Sequence, residues 1–188
     1  MDIKKLIKDK GGIRLDIGGG HNPNPGFVNI DILPLPTVDI VHDLETTPWP
    51  LPDESVMLAT ASHVLEHINP HKGVFINVMN EVWRVLKPRG QFALVVPHAN
   101  SPGYAQDPTH CNMINETTFH YFDPDPEKKG LHGQLYGFYQ PKPWRIVHQY
   151  FSYMGNIEVL LEKRPDDKSY HGIYQPDDIT KERLYETK

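Results

Sequence analysis

A single cysteine, Cys111, among 188 residues excludes a disulfide framework and a thiolate zinc cluster. A reducing, cytoplasmic setting is the matching expectation. No stretch approaches the roughly 18 consecutive apolar residues of a spanning helix, and Met1-Asp2-Ile3-Lys4-Lys5-Leu6-Ile7 holds no apolar signal core. A soluble, unexported chain without a membrane span is therefore expected. No run of Lys or Arg exceeds a pair and the formal net charge is -5, which argues against a long nucleic-acid footprint gripped through phosphates and leaves room only for a local basic groove. Repeats and low-complexity tracts are missing too: 18 Pro and 14 Gly are scattered between apolar runs as punctuation. What is present suffices for a core. Hydrophobic residues make up 38% of the chain, with three Trp, nine Tyr and seven Phe, and the length suits one α/β domain.

Short β-branched runs mark strands at Ile13–Ile17, Phe27–Ile32, Val38–Val41, Val56–Ala61 and Phe92–Val96. Gly18-Gly19-Gly20 closes the first, and His21-Asn22-Pro23-Asn24-Pro25-Gly26 disfavours a helix before the second. Pro48, Pro50 and Pro52 predict an irregular surface crossing after the third. Residues Ser62 to Ile68 have helical character, and Asn69-Pro70 reads as the cap of a helix whose stripe is Val74, Val78, Val82 and Val85, stopped at Lys87-Pro88-Arg89-Gly90. Ile146–Tyr153 and Ile157–Leu161 read as an antiparallel hairpin. The expected architecture is α/β: an open, mostly parallel Rossmann-like sheet with helices on both faces and a C-terminal antiparallel hairpin. Residues 1–164 form one domain in this reading, 99–142 a polar and aromatic insertion with at most a short helix near Thr117 to Tyr121, and 165–188 a polar tail.

In such sheets ligands bind beyond the carboxyl ends of the strands, where strand order reverses. Gly18 and Gly20 follow strand one, Asp31 ends strand two, Asp43 follows strand three, Ser62 and His63 follow strand four, and His98 follows strand five. Glycines admit a ligand close to the backbone, and an acid at the end of the next strand can accept the hydroxyl protons of a ribose. Together they suggest an adenosine-containing cofactor, against the blander alternative of a tight turn with solvated loop acids. Pro23 breaks the Gly-x-Gly-x-x-Gly pattern and no helix follows to receive a pyrophosphate, so a dinucleotide is disfavoured.

Leu15-Asp16-Ile17-Gly18-Gly19-Gly20, Asn29-Ile30-Asp31, His42-Asp43-Leu44, His63-Val64-Leu65-Glu66-His67 and Arg84-Val85-Leu86-Lys87-Pro88-Arg89-Gly90 run in the order of a known family. The set resembles class I S-adenosylmethionine-dependent methyltransferases over roughly residues 11 to 98. Val96-Pro97-His98 and Asp107-Pro108-Thr109-His110 look like segments of its small bacterial, archaeal and phage-type members. The resemblance implies that Asp16, Gly18, Gly19 and Gly20 face the methionine and ribose of S-adenosylmethionine, and that Asp31 binds the ribose hydroxyls. It further implies that Asp43 and Leu44 flank the adenine, with Ser62 or His63 lining the floor toward the acceptor. Two departures stand out: a Pro-rich link replaces the helix after the glycine loop, and Arg89 stands where a Gly is usual. No Asn-Pro-Pro-Tyr or Asp-Pro-Pro-Tyr motif of DNA amino-methyltransferases is present.

Five of the 11 histidines lie between His63 and His110. On a helix, His63, Glu66 and His67 would share one face and could ligate a divalent ion, with His98, His110 or Asp107 closing the site. That spacing is similar to the Glu-x-x-Glu-His metal motif of small-RNA 2′-O-methyltransferases and ubiquinone-pathway O-methyltransferases. Without metal, His98 or His110, or else His63, would serve as the base that removes the acceptor's proton. Tyr104, Phe119, Tyr121, Phe122, Tyr136, Phe138 and Tyr139 offer a lid or acceptor pocket, or a cover for the sheet edge. The expected activity is methyl transfer from S-adenosylmethionine to an oxygen or nitrogen of a small-molecule or glycan acceptor, with a divalent metal ion as the candidate helper. The rival expectations are a non-catalytic cofactor-binding or interaction module and a His-rich metal-dependent hydrolase.

Overall fold

The computed structural model describes residues 2–124, 139 and 141–165. The predicted strands form, with small shifts of their ends except that the fifth starts six residues earlier than Phe92: β1 Ile13–Ile17, β2 Val28–Asp31, β3 Ile40–Val41, β4 Val56–Ser62, β5 Leu86–Pro97, β6 Trp144–Phe151 and β7 Asn156–Lys163. They build one sheet in the order β3-β2-β1-β4-β5-β7-β6. β1 through β5 pair in parallel, while β7 runs antiparallel to β5 and to β6. Order reverses at β1, which has β2 on one side and β4 on the other. The loops after β1 and β4 consequently leave in opposite directions and open a crevice between them. β1 is buried except at Arg14 and β2 throughout, as expected of strands covered on both faces, whereas β4 buries only Val56, Ala59 and Ala61.

Helices are fewer than expected. Among the described residues only α1 (Ile3–Lys10) and α2 (Val74–Val85) exceed one turn, with the four-residue α3 at Pro102–Ala105. α1 is absent from the sequence reading, although its signals are local: the Asp2 carboxylate accepts from the Lys5 N–H, Ile3, Leu6 and Ile7 pack on the core, and Gly11 ends the helix at φ 67°. α2 begins later than Asn69-Pro70 suggests. The Asn69 side chain accepts from the His71 N–H and caps only a 3-10 turn, because Lys72 at φ 55° and Gly73 at φ 75° are both left-handed and interrupt any continuous helix. The Lys87–Gly90 segment is a bulge inside β5, shifting its register on β4 from Val56–Leu86 to Leu58–Gln91. Arg89 there adopts φ 62°, a backbone region that favours glycine.

The crossings β1–β2, β2–β3 and β3–β4 contain no α-helix, so the chain needs other means of covering the sheet. The Pro-rich crossing after β3 is irregular as predicted, yet it is not confined to the surface: Leu44, Trp49 and Leu51 enter the core. Trp49 donates its indole N–H to the Leu44 carbonyl at 2.9 Å and its backbone N–H to Glu81 of α2 at 2.7 Å. Arg84 completes the clamp, donating to both Glu81 oxygens, to the Trp49 and Leu51 carbonyls and to Asp53. Burial alone would raise the Glu81 carboxyl, but the Arg84 and Trp49 hydrogen bonds outweigh it and hold the group below its ordinary range. Two side chains of α2 thereby hold down a segment that forms no helix of its own.

Part of the 99–142 insertion is core material. Phe119 and Phe122, in the 3-10 turn Thr118–Phe122, are fully buried, whereas Tyr139 is exposed. Tyr136, Phe138 and the tail beyond residue 165 lie outside the described residues.

Candidate functional site

The crevice at the strand reversal is a cleft of about 610 Å³ lined by Gly18, Asp31, Ile32, Leu33, Asp43, Leu44, Glu45, His63, Val64, His67 and Ile68. Its size falls in the usual range for cofactor sites. Gly18 sits at φ 66°, its N–H donates to the Ile30 carbonyl at 2.8 Å, and a Cβ there would collide with the Val64 side chain. The two loops flanking the reversal point meet at that contact. The glycine loop is further tied by Asn29, a fully buried residue of β2: its Oδ1 accepts from Gly19 N at 3.1 Å and its Nδ2 donates to the Gly20 and Thr37 carbonyls. Asp31 accepts from Gly20 N at 3.0 Å on one oxygen and from Leu33 N at 2.9 Å on the other, so the loop holds this carboxylate at the cleft wall.

The expected residues divide into those at the cleft and those away from it. Gly18, Asp31, Asp43, Leu44 and His63 line it, and Glu66 lies behind His63 and His67. Gly19 and Gly20 build the loop without lining the cleft. Asp16 is buried and turned to internal bonds, accepting from Asn24 N at 2.6 Å and from the Thr60 hydroxyl at 2.8 Å, which pins the Pro-rich link that replaces the helix. Ser62 is exposed at the end of β4 and is not a lining residue. His98 also stands apart: its Nδ1 accepts from Asn100 N, its Nε2 pairs with Glu116 at 2.9 Å, and its ring packs edge-on against Phe151.

The segment after β4 is not the helix that the spacing suggests. Ser62 ends the strand, His63 takes φ 56°, and only Leu65–His67 form a 3-10 turn, so His63, Glu66 and His67 do not share a helical face. A different triad assembles: one ligand atom each from Glu66, His67 and His110 lies within 4.8 Å of the others. His63 is a neighbour of Glu66, with Nδ1 3.3 Å from Oε1. His110 arrives because the Cys111 and Asn112 N–H groups both donate to the Glu66 carbonyl, joining the insertion to the turn after β4. The Glu66 side chain is fully buried and neither carboxylate oxygen has a hydrogen-bond partner. Burial pushes its pKa up, against the opposing pull of its own backbone N–H and of His63, His67 and His110.

Sequence reasoning did not single out Asn29, Val64, Glu45 or Thr109. Asn29 carried a signal, as a polar residue inside an apolar strand; the other three lie in loops whose partners are distant in sequence.

Residues 21–94 match a family model described as a methyltransferase domain. No curated protein matches the chain. Among solved structures, the chain is similar to the YcgJ protein of Bacillus subtilis, with TM-score 0.52 at 16% identity over 86% of this chain and 97% of that one. It is also similar to an S-adenosylmethionine-dependent methyltransferase from Archaeoglobus fulgidus, with TM-score 0.53 at 15% identity over 86% of this chain and 95% of that one. At such identities the likeness concerns the fold.

Proposed function

We propose, from the methyltransferase-domain match over residues 21–94 and from the class I fold of the sheet, that the protein transfers the methyl group of S-adenosylmethionine to an oxygen or nitrogen of a small-molecule or glycan acceptor. The observation that carries the proposal is that Gly18 and Asp31 face the same cleft as His63 and His67. In this reading Asp31 accepts the ribose hydroxyl protons, an arrangement suited to a carboxylate that already caps the glycine loop. Asp43 and Leu44 hold the adenine, one by a polar edge and one by an apolar face. The close Gly18–Val64 approach sets the inner wall where the methionine part lies. A helix N-terminus is needed for a phosphate and not for a sulfonium or an amino acid, so the missing helix after the glycine loop is compatible with this ligand.

S-adenosylmethionine supplies the activated methyl when bound. The protein's part is to hold the acceptor in line and take its proton. His63 is the base in this proposal, in place of His98 and His110, because it lies at the cleft and is half exposed, with Glu66 beside its Nδ1. Asp31, Asp43 and Leu44 would hold S-adenosylmethionine, which would give up its methyl and leave as S-adenosylhomocysteine, while His63 would take the acceptor proton and pass it to solvent. A divalent ion at the neighbouring histidines would assist by making an acceptor hydroxyl more acidic.

The test is a calorimetric titration with S-adenosylmethionine, followed by measurement of S-adenosylhomocysteine formation across a panel of hydroxyl and amine acceptors. One site per chain is expected, with His63→Ala lowering turnover while leaving cofactor affinity nearly unchanged. Absence of cofactor binding overturns the proposal.

A further inference from the structure

The geometry points to Glu66, His67 and His110 as the protein ligands of a divalent transition-metal ion at the edge of the cleft. This set is not the His63–Glu66–His67 triplet that the spacing suggests. Three independent features converge on it.

The first is the carboxylate. Glu66 is fully buried and neither oxygen makes a hydrogen bond; His63 Nδ1 stands 3.3 Å from Oε1, and His67, His110 and Tyr104 are the other titratable groups near it. A buried carboxylate left without donors is costly, and a bound cation is one way to satisfy it.

The second is the state of the two imidazoles. The His110 Nδ1 lies 2.8 Å from the Tyr104 carbonyl, which can only accept, so Nδ1 carries a hydrogen and the lone pair of the neutral ring is on Nε2, 3.9 Å from Glu66 Oε1 and 3.8 Å from Asp107 Oδ2. The same deduction applies to His67. Asp107 is a partly exposed carboxylate, which can only accept. The Thr109 hydroxyl therefore gives its hydrogen to Asp107 at 2.6 Å and must accept from His67 Nδ1 at 3.0 Å. That leaves His67 Nε2 as the free lone pair. Each histidine donates one N–H to an oxygen and presents the other nitrogen, the outer arrangement found around metal-bound imidazoles.

The third is the open side. His67 lines the cleft, whereas the His110 side chain is nine-tenths buried. An ion held from one side by two nitrogens and an oxygen would keep a position free toward the cleft. Two imidazoles and one carboxylate favour Zn²⁺, Co²⁺ or Mn²⁺ over Mg²⁺ or Ca²⁺, which prefer oxygen-rich shells. A tetrahedral ion places its ligands roughly 3.3 Å apart, as follows from bonds of about 2.0–2.1 Å. The three groups would close in on loading, His67 moving most easily from its exposed turn. Ion binding needs no cofactor; a role in activating an acceptor hydroxyl rests on the methyl-transfer reading above.

The test titrates chelator-stripped protein with Co²⁺, followed by its visible spectrum, and with Zn²⁺ in competition with a chromophoric chelator. One ion per chain is expected, with the intense bands of a four- or five-coordinate Co²⁺ site. His110→Ala should weaken binding at least 100-fold. Thr109→Val, which removes the hydrogen bond to His67 without touching a ligand, should weaken it about 10- to 100-fold. His63→Ala should change it less than threefold. Absence of stoichiometric binding overturns the inference, and so does a site that survives His110→Ala but is lost in His63→Ala. A parallel titration with S-adenosylmethionine separates the two claims. Cofactor binding without ion binding removes the metal site and leaves methyl transfer standing; ion binding without cofactor binding does the reverse.

Discussion

Removing the Asp31 carboxylate tests the cofactor side of the cleft most directly. The Asp31→Ala change takes away an acceptor from the Gly20 and Leu33 N–H groups and from any ribose that docks there. Both N–H groups lie beside the cleft, where water can replace part of what is lost, so the cost in folding stability should be about 1 kcal/mol. The cofactor loses more. Two ribose hydroxyls donating to a charged acceptor, corrected for rehydration of the empty site, correspond to roughly 2–3 kcal/mol, or about 30- to 150-fold in Kd. Calorimetric titration with S-adenosylmethionine measures the affinity, and urea unfolding of the same samples shows whether the fold is intact. A change in Kd below about threefold, with folding preserved, would refute the placement of the ribose at Asp31.

Further perturbations address the glycine loop and the Glu81 clamp. Gly18→Ala forces an L-residue into φ 66° and drives a methyl into Val64, so it should destabilise the fold by about 2 kcal/mol or more and reduce cofactor affinity, whereas Gly20→Ala at φ 51° meets no atom within 4 Å and should cost only about 1 kcal/mol. Equal effects of the two changes on the urea midpoint would contradict the Gly18–Val64 contact. Glu81→Ala strands the buried Trp49 N–H and removes the partner of Arg84, for an expected loss of about 2–3 kcal/mol, seen as a fall of roughly 4–12 °C in Tm. The folded-state pKa of Glu81 lies below its ordinary 4.5, so its share of the stability is present above that value and disappears as pH falls through and below it. Unfolding midpoints between pH 6 and 3 should accordingly fall less steeply in Glu81→Gln than in the parent; parallel curves would exclude Glu81 as a contributor.

β1, β2 and β5 were legible because each carries a buried apolar run ended by Gly, Asp or Pro, a signal contained within a few residues. Gly18, Asp31 and Asp43 were legible for the same reason, since a parallel sheet places the residues just past its strand ends along one edge whatever the details of packing. α1 was legible and overlooked: Asp2, Ile3, Leu6, Ile7 and Gly11 spell a capped amphipathic helix. The start of α2 was not, because nothing in Asn69-Pro70 reveals that Lys72 turns left-handed.

The histidines divide along the same line. That Glu66 and His67 sit beside the cleft depends only on their place after β4, which the local sequence determines. Which third group joins them depends on the insertion, whose Cys111 and Asn112 amides dock on the Glu66 carbonyl 45 or more positions away in the chain and bring His110 with them. His63, adjacent in sequence, is turned toward the cleft by its positive φ, and His98 is engaged by Asn100 and Glu116. Spacing along a chain predicts a shared face only where the backbone is regular. Where the chain breaks from helix to turn, tertiary hydrogen bonds decide which side chains meet.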